Sequence, residues 1–188
     1  MSVRKKLNIG FLSIGSILLL ALIFTSAQFF RIGESVNHAN NVQSKEIAVF
    51  NKIQIQLNAQ NAFARTYISD SSSQNKDLLL DSTLKLTEAI NAIPKDTSSE
   101  INNTIQTIRN HNETLSTYVD SIIKSMGEQN ISSALTLVNS DYNYTNQSIA
   151  NLSQKLIDYK NSQLVNDIVT AERSINVSLI FSIIMVFL

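Results

Sequence analysis

From Leu7 to Phe30 the chain carries no charged side chain, and the centre of that run, Ile17 to Phe24, reads ILLLALIF. This run limits the possible folds more than any other feature. A helix apolar on every side has no face to offer water. About 20 apolar residues cross the hydrocarbon core of a bilayer, and the run reaches that length. A secretory signal peptide is the competing reading. Arg4, Lys5 and Lys6 give a basic start, and Thr25 to Ala27 (TSA) resembles a cleavage site. The uncharged run is longer than a signal core of about 7–15 residues, which favours a retained transmembrane helix. The expected layout begins with a cytoplasmic N-terminus, residues 1–6, and a membrane helix, residues 7–30. The basic cluster sets the orientation through the positive-inside rule.

A second apolar segment, Ile175 to Leu188, follows Glu172 and Arg173. Ile, Leu, Phe, Met and Val cover all its faces, so it has no solvent side. It covers about two-thirds of a span. The expectation is a second membrane helix, begun at 175–188 and continuing beyond the residues given. Residues 31–174 then lie outside the cytoplasm.

Four Gly and one Pro leave few signals for tight turns, which points to an all-α chain. The absence of Cys excludes a disulfide framework, a thiolate metal site and a thiol nucleophile. All 15 acidic residues lie between positions 32 and 174, while Arg4, Lys5, Lys6 and Arg31 of the 15 basic ones lie outside it, so the outer part is net negative by about four charges. No phosphate-binding footprint is visible, and nucleic acid is not an expected partner.

Heptad spacing runs through the outer part. The clearest series is Ile101, Ile105, Ile108, Asn112, Leu115, Val119, Ile122, Met126. A second reads Ile131, Leu135, Val138, Tyr142, Thr145, Ile149, Leu152, Leu156, Tyr159 and continues in phase through Gln163, Asn166 and Thr170. The first helix gives Ile32, Val36, Ala39, Gln43, Glu46, Phe50, Ile53, Leu57, Gln60, Ala64, Tyr67, and the shortest series is Leu79, Thr83, Leu86, Ile90, Ile93. Ser71 with Gln74 and Thr97 with Glu100 have capping-box spacing, Pro94 stops a helix, and Gly127 with Asn130 marks another break. Four helices are predicted, at about 31–69, 72–93, 97–126 and 130–174. Short loops make neighbours antiparallel. The predicted fold is an antiparallel up-down four-helix bundle between two transmembrane helices, its first and fourth helices long and continuous with the membrane segments.

The middle pair is too short to flank the fourth helix, roughly 65 Å long at about 1.5 Å per residue. Level matching from the membrane places the 94–96 loop near residues 40–47 and Glu46 at the level of Lys160. Below that loop the seam turns polar, with Gln43 and Glu46 on one helix and Gln163 and Asn166 on the other. A solvated helix pair is one reading. The other is a weakly packed seam that passes a small displacement to the membrane, since polar seam positions cost stability while setting register.

This layout resembles the N-terminal sensor region of bacterial methyl-accepting chemotaxis proteins, and more narrowly their four-helix-bundle ligand-binding domain. The resemblance covers essentially the whole chain. MSVRKKLNIGFLSIGSILLL opens like such receptors, and NAFARTYISD resembles the family's Arg–x–Tyr-type stretch. The resemblance implies a homodimer and a small-molecule or protein stimulus sensed outside. It also implies a piston-like or rotational signal through the second membrane helix to a HAMP relay and a cytoplasmic output region, which engages kinase and adaptor partners. The same bundle resembles sensors of some histidine kinases and cyclic-dinucleotide enzymes. A reading of another class is a secreted, membrane-active helical bundle with residues 1–27 removed.

Related aspartate-type receptors hold a carboxylate ligand with arginines near the outer end of the first helix. The resemblance carries this role to Arg65, which level matching sets near residues 135–141, close to Tyr142, Tyr144 and Thr145. A guanidinium beside aromatic and hydroxyl groups can hold a carboxylate. The alternative is a surface arginine paired with Asp70 or Asp141. This chain lacks the full arginine set of those receptors, and Arg109 sits about 24 Å lower by helical rise, too far to share a small ligand. His38 and His111 stand at different heights, so no metal site is expected. Carboxylates are spread along exposed faces, and no phosphate loop or nucleophile motif appears. Neither enzymatic activity nor a cofactor is expected.

Overall fold

A computed structural model describes residues 3–37, 41 and 43–187. The described residues form helices and no strand. In chain order these are α1 (Val3–Asn37), α2 (Ser44–Asp70), α3 (Ser73–Asn91), α4 (Ser99–Gly127), α5 (Ile131–Leu137), a π turn (Val138–Tyr142) and α6 (Asn143–Phe187). The chain divides into two compact units, Ser44–Asn161 and Met1–Gln43 with Ser162–Leu188. α6 runs through Asn161 as one helix of 45 residues.

The first unit, Ser44–Asn161, is a helical bundle. α2 packs along α3, α3 along α4, and α4 against α5 and the π turn. All eight predicted heptad positions of α4, from Ile101 to Met126, are its buried residues. Burying a side chain such as Leu or Ile is worth about 1.5–3 kcal/mol, so this stripe holds α4 in place more firmly than its propensity does. In α2 the buried series Phe50, Ile53, Leu57, Gln60, Ala64 and Tyr67 also follows the heptads. The predicted seam position Ala39 lies outside the described residues, as does His38.

Three sequence expectations shift. The N-cap of α3 is Ser72, not Ser71: Ser72 Oγ accepts from the Asn75 N–H, while Ser71 turns the chain at φ 57°. The N-cap of α4 is Ser98, not Thr97, with Ser98 Oγ accepting from the Ile101 N–H. In both cases the preceding loop takes one more residue than the pattern implied. Ile131 and Leu135, predicted for the seam, are about half exposed. The buried positions there are Ala134, Val138 and Tyr142. The π turn adds a residue to one helical turn, so α5 faces the core with a different stripe from the one a regular helix would use.

The interior is not wholly apolar. Gln60 Nε2 donates to Thr83 Oγ1 at 2.8 Å, and Asn112 Nδ2 donates to Thr87 Oγ1 at 3.0 Å. Tyr142, fully buried, directs its hydroxyl at Gln60 Oε1 (3.4 Å), and Asn146 Nδ2 donates to the Leu57 carbonyl at 3.3 Å.

In the second unit α1 exposes Leu7, Phe11, Leu12, Leu18, Leu20, Leu22 and Phe30. Among the described residues, Leu7–Asn37 is the one stretch long and apolar enough to cross a bilayer. Phe24 and Phe181 bring their rings to 4.5 Å between centroids. Gln43, buried, donates from Nε2 to Asp167 Oδ2 at 2.9 Å.

Candidate functional site

Two places in the chain gather polar groups. The first is a buried charge cluster. Pro94 ends the α3 segment, and the loop beyond it is fastened by Asn102, whose Oδ1 accepts from the Asp96 N–H at 3.0 Å and whose Nδ2 reaches the Ser98 carbonyl at 2.9 Å. This fixes Asp96 at the start of α4. Asp96 Oδ1 accepts from the Ser98 N–H at 2.8 Å, leaving Oδ2 for Lys160 of α6 at 2.5 Å. On the other side Lys160 Nζ lies 2.7 Å from Glu46 Oε2 of α2. The side chains of Lys160, Glu46 and Asp96 are 9%, 14% and 8% exposed.

Removing an ammonium from water costs several kcal/mol, which is recovered when well-placed carboxylates surround it. The electrostatics agree. Burial disfavours the charged lysine, but hydrogen bonds to Asp96 and Glu46 and their charges outweigh it, raising the Lys160 pKa above its ordinary value. Burial likewise disfavours ionised Asp96, but the Lys160 and Ser98 hydrogen bonds and the Lys160 charge hold its pKa below the usual range. One ammonium therefore ties together α2, the α3–α4 loop and α6.

The level match of Glu46 with Lys160 was legible in the sequence. The third member, Asp96, was not. Its signal is a carboxylate two residues before the helix-capping Ser98, in the loop that level matching sets near residues 40–47. The remaining polar seam residues fall in the other unit. Gln43 is buried against Asp167, Gln163 is half-buried and Asn166 is exposed.

The second place is the outer end. Arg65 is exposed on α2, its Nη1 donating to Asn139 Oδ1 at 3.1 Å and its Nε to Asn61 Oδ1 at 3.3 Å. Arg65 stands level with residue 139, and its partners are the amides of Asn61 and Asn139, not Asp70 or Asp141. Tyr142 and Thr145 are interior, and Tyr144 is 72% exposed. The fold thus brings Arg65 to the π turn, sets Tyr142 and Thr145 inside and leaves Tyr144 outside. Burial raises the Tyr142 hydroxyl well above its ordinary pKa, keeping it a neutral donor. Among the described residues no group of three or more His, Asp or Glu converges as metal ligands would.

No protein-family model, curated protein or solved structure matches the chain.

Proposed function

We propose that the chain is the extracytoplasmic sensor region of a membrane receptor of the chemotaxis-transducer kind. In this reading Ser44–Asn161 is the stimulus-bearing bundle, and α6 carries its response towards a cytoplasmic signalling region. One observation carries the proposal: α6 joins the bundle to the apolar segment after Ile175 without a break. A helix can carry thrust or twist along its length only where its hydrogen-bond ladder is continuous.

The bundle is read as up-down and antiparallel. Support comes from paired side chains of α2 and the α5–α6 stretch, whose numbers run in opposite directions: Arg65 with Asn139, Gln60 with Tyr142, Gln54 with Gln154, Glu46 with Lys160. Both α1 and the end of α6 cross the membrane, the N-terminus is cytoplasmic, and the receptor works as a homodimer. A histidine kinase or a cyclic-dinucleotide enzyme is the alternative output on the same plan.

The chain has no cysteine, so single cysteines report topology cleanly. With Cys at Ser2, Ile55 or Glu113 in intact cells, a membrane-impermeant maleimide should label positions 55 and 113 and spare position 2. The reverse pattern, or a mature protein starting at Gln28, overturns the membrane-receptor reading. Fusion to a kinase-controlling cytoplasmic region then tests for stimulus-dependent output.

A further inference from the structure

Between the second half of α4 and the α5–π segment lies a groove of about 570 Å³. That is within the range of small-molecule sites, about 300–1,000 Å³. Tyr118 and Ser121 line it from α4, and Ser133, Thr136, Ser140 and Asp141 line it from the other side.

Its charge is negative, and three of its hydroxyls are committed as donors to the backbone. The hydroxyls of Ser121, Thr136 and Ser140 each donate to the carbonyl four residues earlier, at 2.9, 2.9 and 2.8 Å. A hydroxyl that has given its proton to the backbone keeps lone pairs, so these groups remain acceptors. Asp141 adds a negative charge, and its carboxylate has no hydrogen bond or ion pair with another described residue. Among the described residues, no Lys, Arg or His lines the groove. Tyr118 contributes an aromatic ring, the kind of surface that attracts a cation.

The backbone supplies a separate reason to look here. Ser140 and Asp141 belong to the π turn, between the buried Val138 and Tyr142. Single π turns within helices recur at functional sites, because the extra residue re-aims side chains that a regular helix would place elsewhere.

We infer that this groove binds a small primary ammonium compound. Asp141 meets its charge, Tyr118 flanks it, and the serine and threonine oxygens accept its N–H groups. A neutral diol offers hydroxyl donors without the charge. A trimethylammonium offers the charge without N–H donors. The lining favours the ligand that has both. The inference names the stimulus class of the proposed sensor, and its signalling role rests on that reading.

The test uses the full chain in lipid nanodiscs and titration calorimetry with 1,4-diaminobutane. Saturable binding is expected, with no measurable binding of 1,4-butanediol and weaker binding of the hexamethylated diamine. Asp141→Asn, at an exposed position, should weaken binding at least tenfold with an unchanged circular dichroism spectrum. Ser140→Ala should weaken it less. Absence of saturable diamine binding, equal binding by Asp141→Asn, or equal binding of the diol overturns the inference. Binding without a response from the kinase fusion rejects the sensor reading and leaves the site. A fusion that responds to another stimulus, with no diamine binding, rejects the site alone.

Discussion

Lys160 Nζ lies 2.5 Å from Asp96 Oδ2, so the loop between α3 and α4 is pinned to α6 by a buried ion pair. Glu46 closes the cluster from α2 at 2.7 Å. The cluster therefore holds two carboxylates and one ammonium, and the ammonium is the member neither carboxylate can lose without penalty.

Lys160→Met should be the most damaging single change in the cluster. It leaves Asp96 and Glu46 buried beside each other with no counter-ion, and breaking a buried pair typically costs about 3–5 kcal/mol. Asp96→Asn should cost less, because Glu46 still pairs with the lysine. Urea unfolding followed by helical circular dichroism ranks the two. An equal loss in both would show that the lysine is not the keystone.

The pH dependence has two limbs. The Asp96 pKa is depressed in the folded chain. Its contribution is therefore present above the unfolded value, about 3.9, and is lost as pH falls through the folded one. The Lys160 pKa is raised, so its contribution is present below about 10.4, the unfolded value, and is lost as pH rises through the folded one. Thermal midpoints measured from pH 2 to 12 should fall at both ends, and Asp96→Asn should flatten the acid limb.

Within the core, Tyr142→Ala should cost about 3–5 kcal/mol, the usual range for deleting a buried aromatic ring. Tyr142→Phe keeps the ring and removes the hydroxyl's polar contacts with Gln60 and Asn146, and about 1 kcal/mol is expected. Denaturant midpoints of the two variants separate packing from polar pairing at the π turn.

The polar positions Gln43, Glu46, Gln163 and Asn166 give a test of transmission. In a kinase-control fusion, replacing all four with Leu should reduce stimulus-dependent output. Glu46→Gln alone should preserve it, since an amide can still accept from Lys160. Undiminished output from the quadruple variant would remove these positions from the signalling path.

Periodicity carried most of the bundle's interior into view, because a helix buried on one face must repeat its apolar residues about every half-heptad. α4 shows this best, with all eight positions recovered. The pattern misled at Ile131 and Leu135, since a π turn leaves no composition signal and displaces the buried stripe by one residue. Caps slipped by one for a related reason: Ser71, Ser72, Thr97 and Ser98 are all competent caps, and loop geometry chooses among them. Helix lengths located the Glu46–Lys160 pair. The groove at Tyr118 and Asp141 was not legible, because its lining comes from two helices and its serines look like ordinary surface.

Thr83 and Thr87 stand one turn apart on α3, and they engage different neighbours: Gln60 of α2 takes the first, Asn112 of α4 the second. The arrangement works like two pegs on one rail. If α3 slid by a turn, one threonine would take the other's place, and one of the two buried amides would be left without a partner. Small adjustments within a notch remain cheap, while a full step does not. α2, α3 and α4 are thereby geared to shift as one block, so a disturbance reaching any one of them is shared by all three.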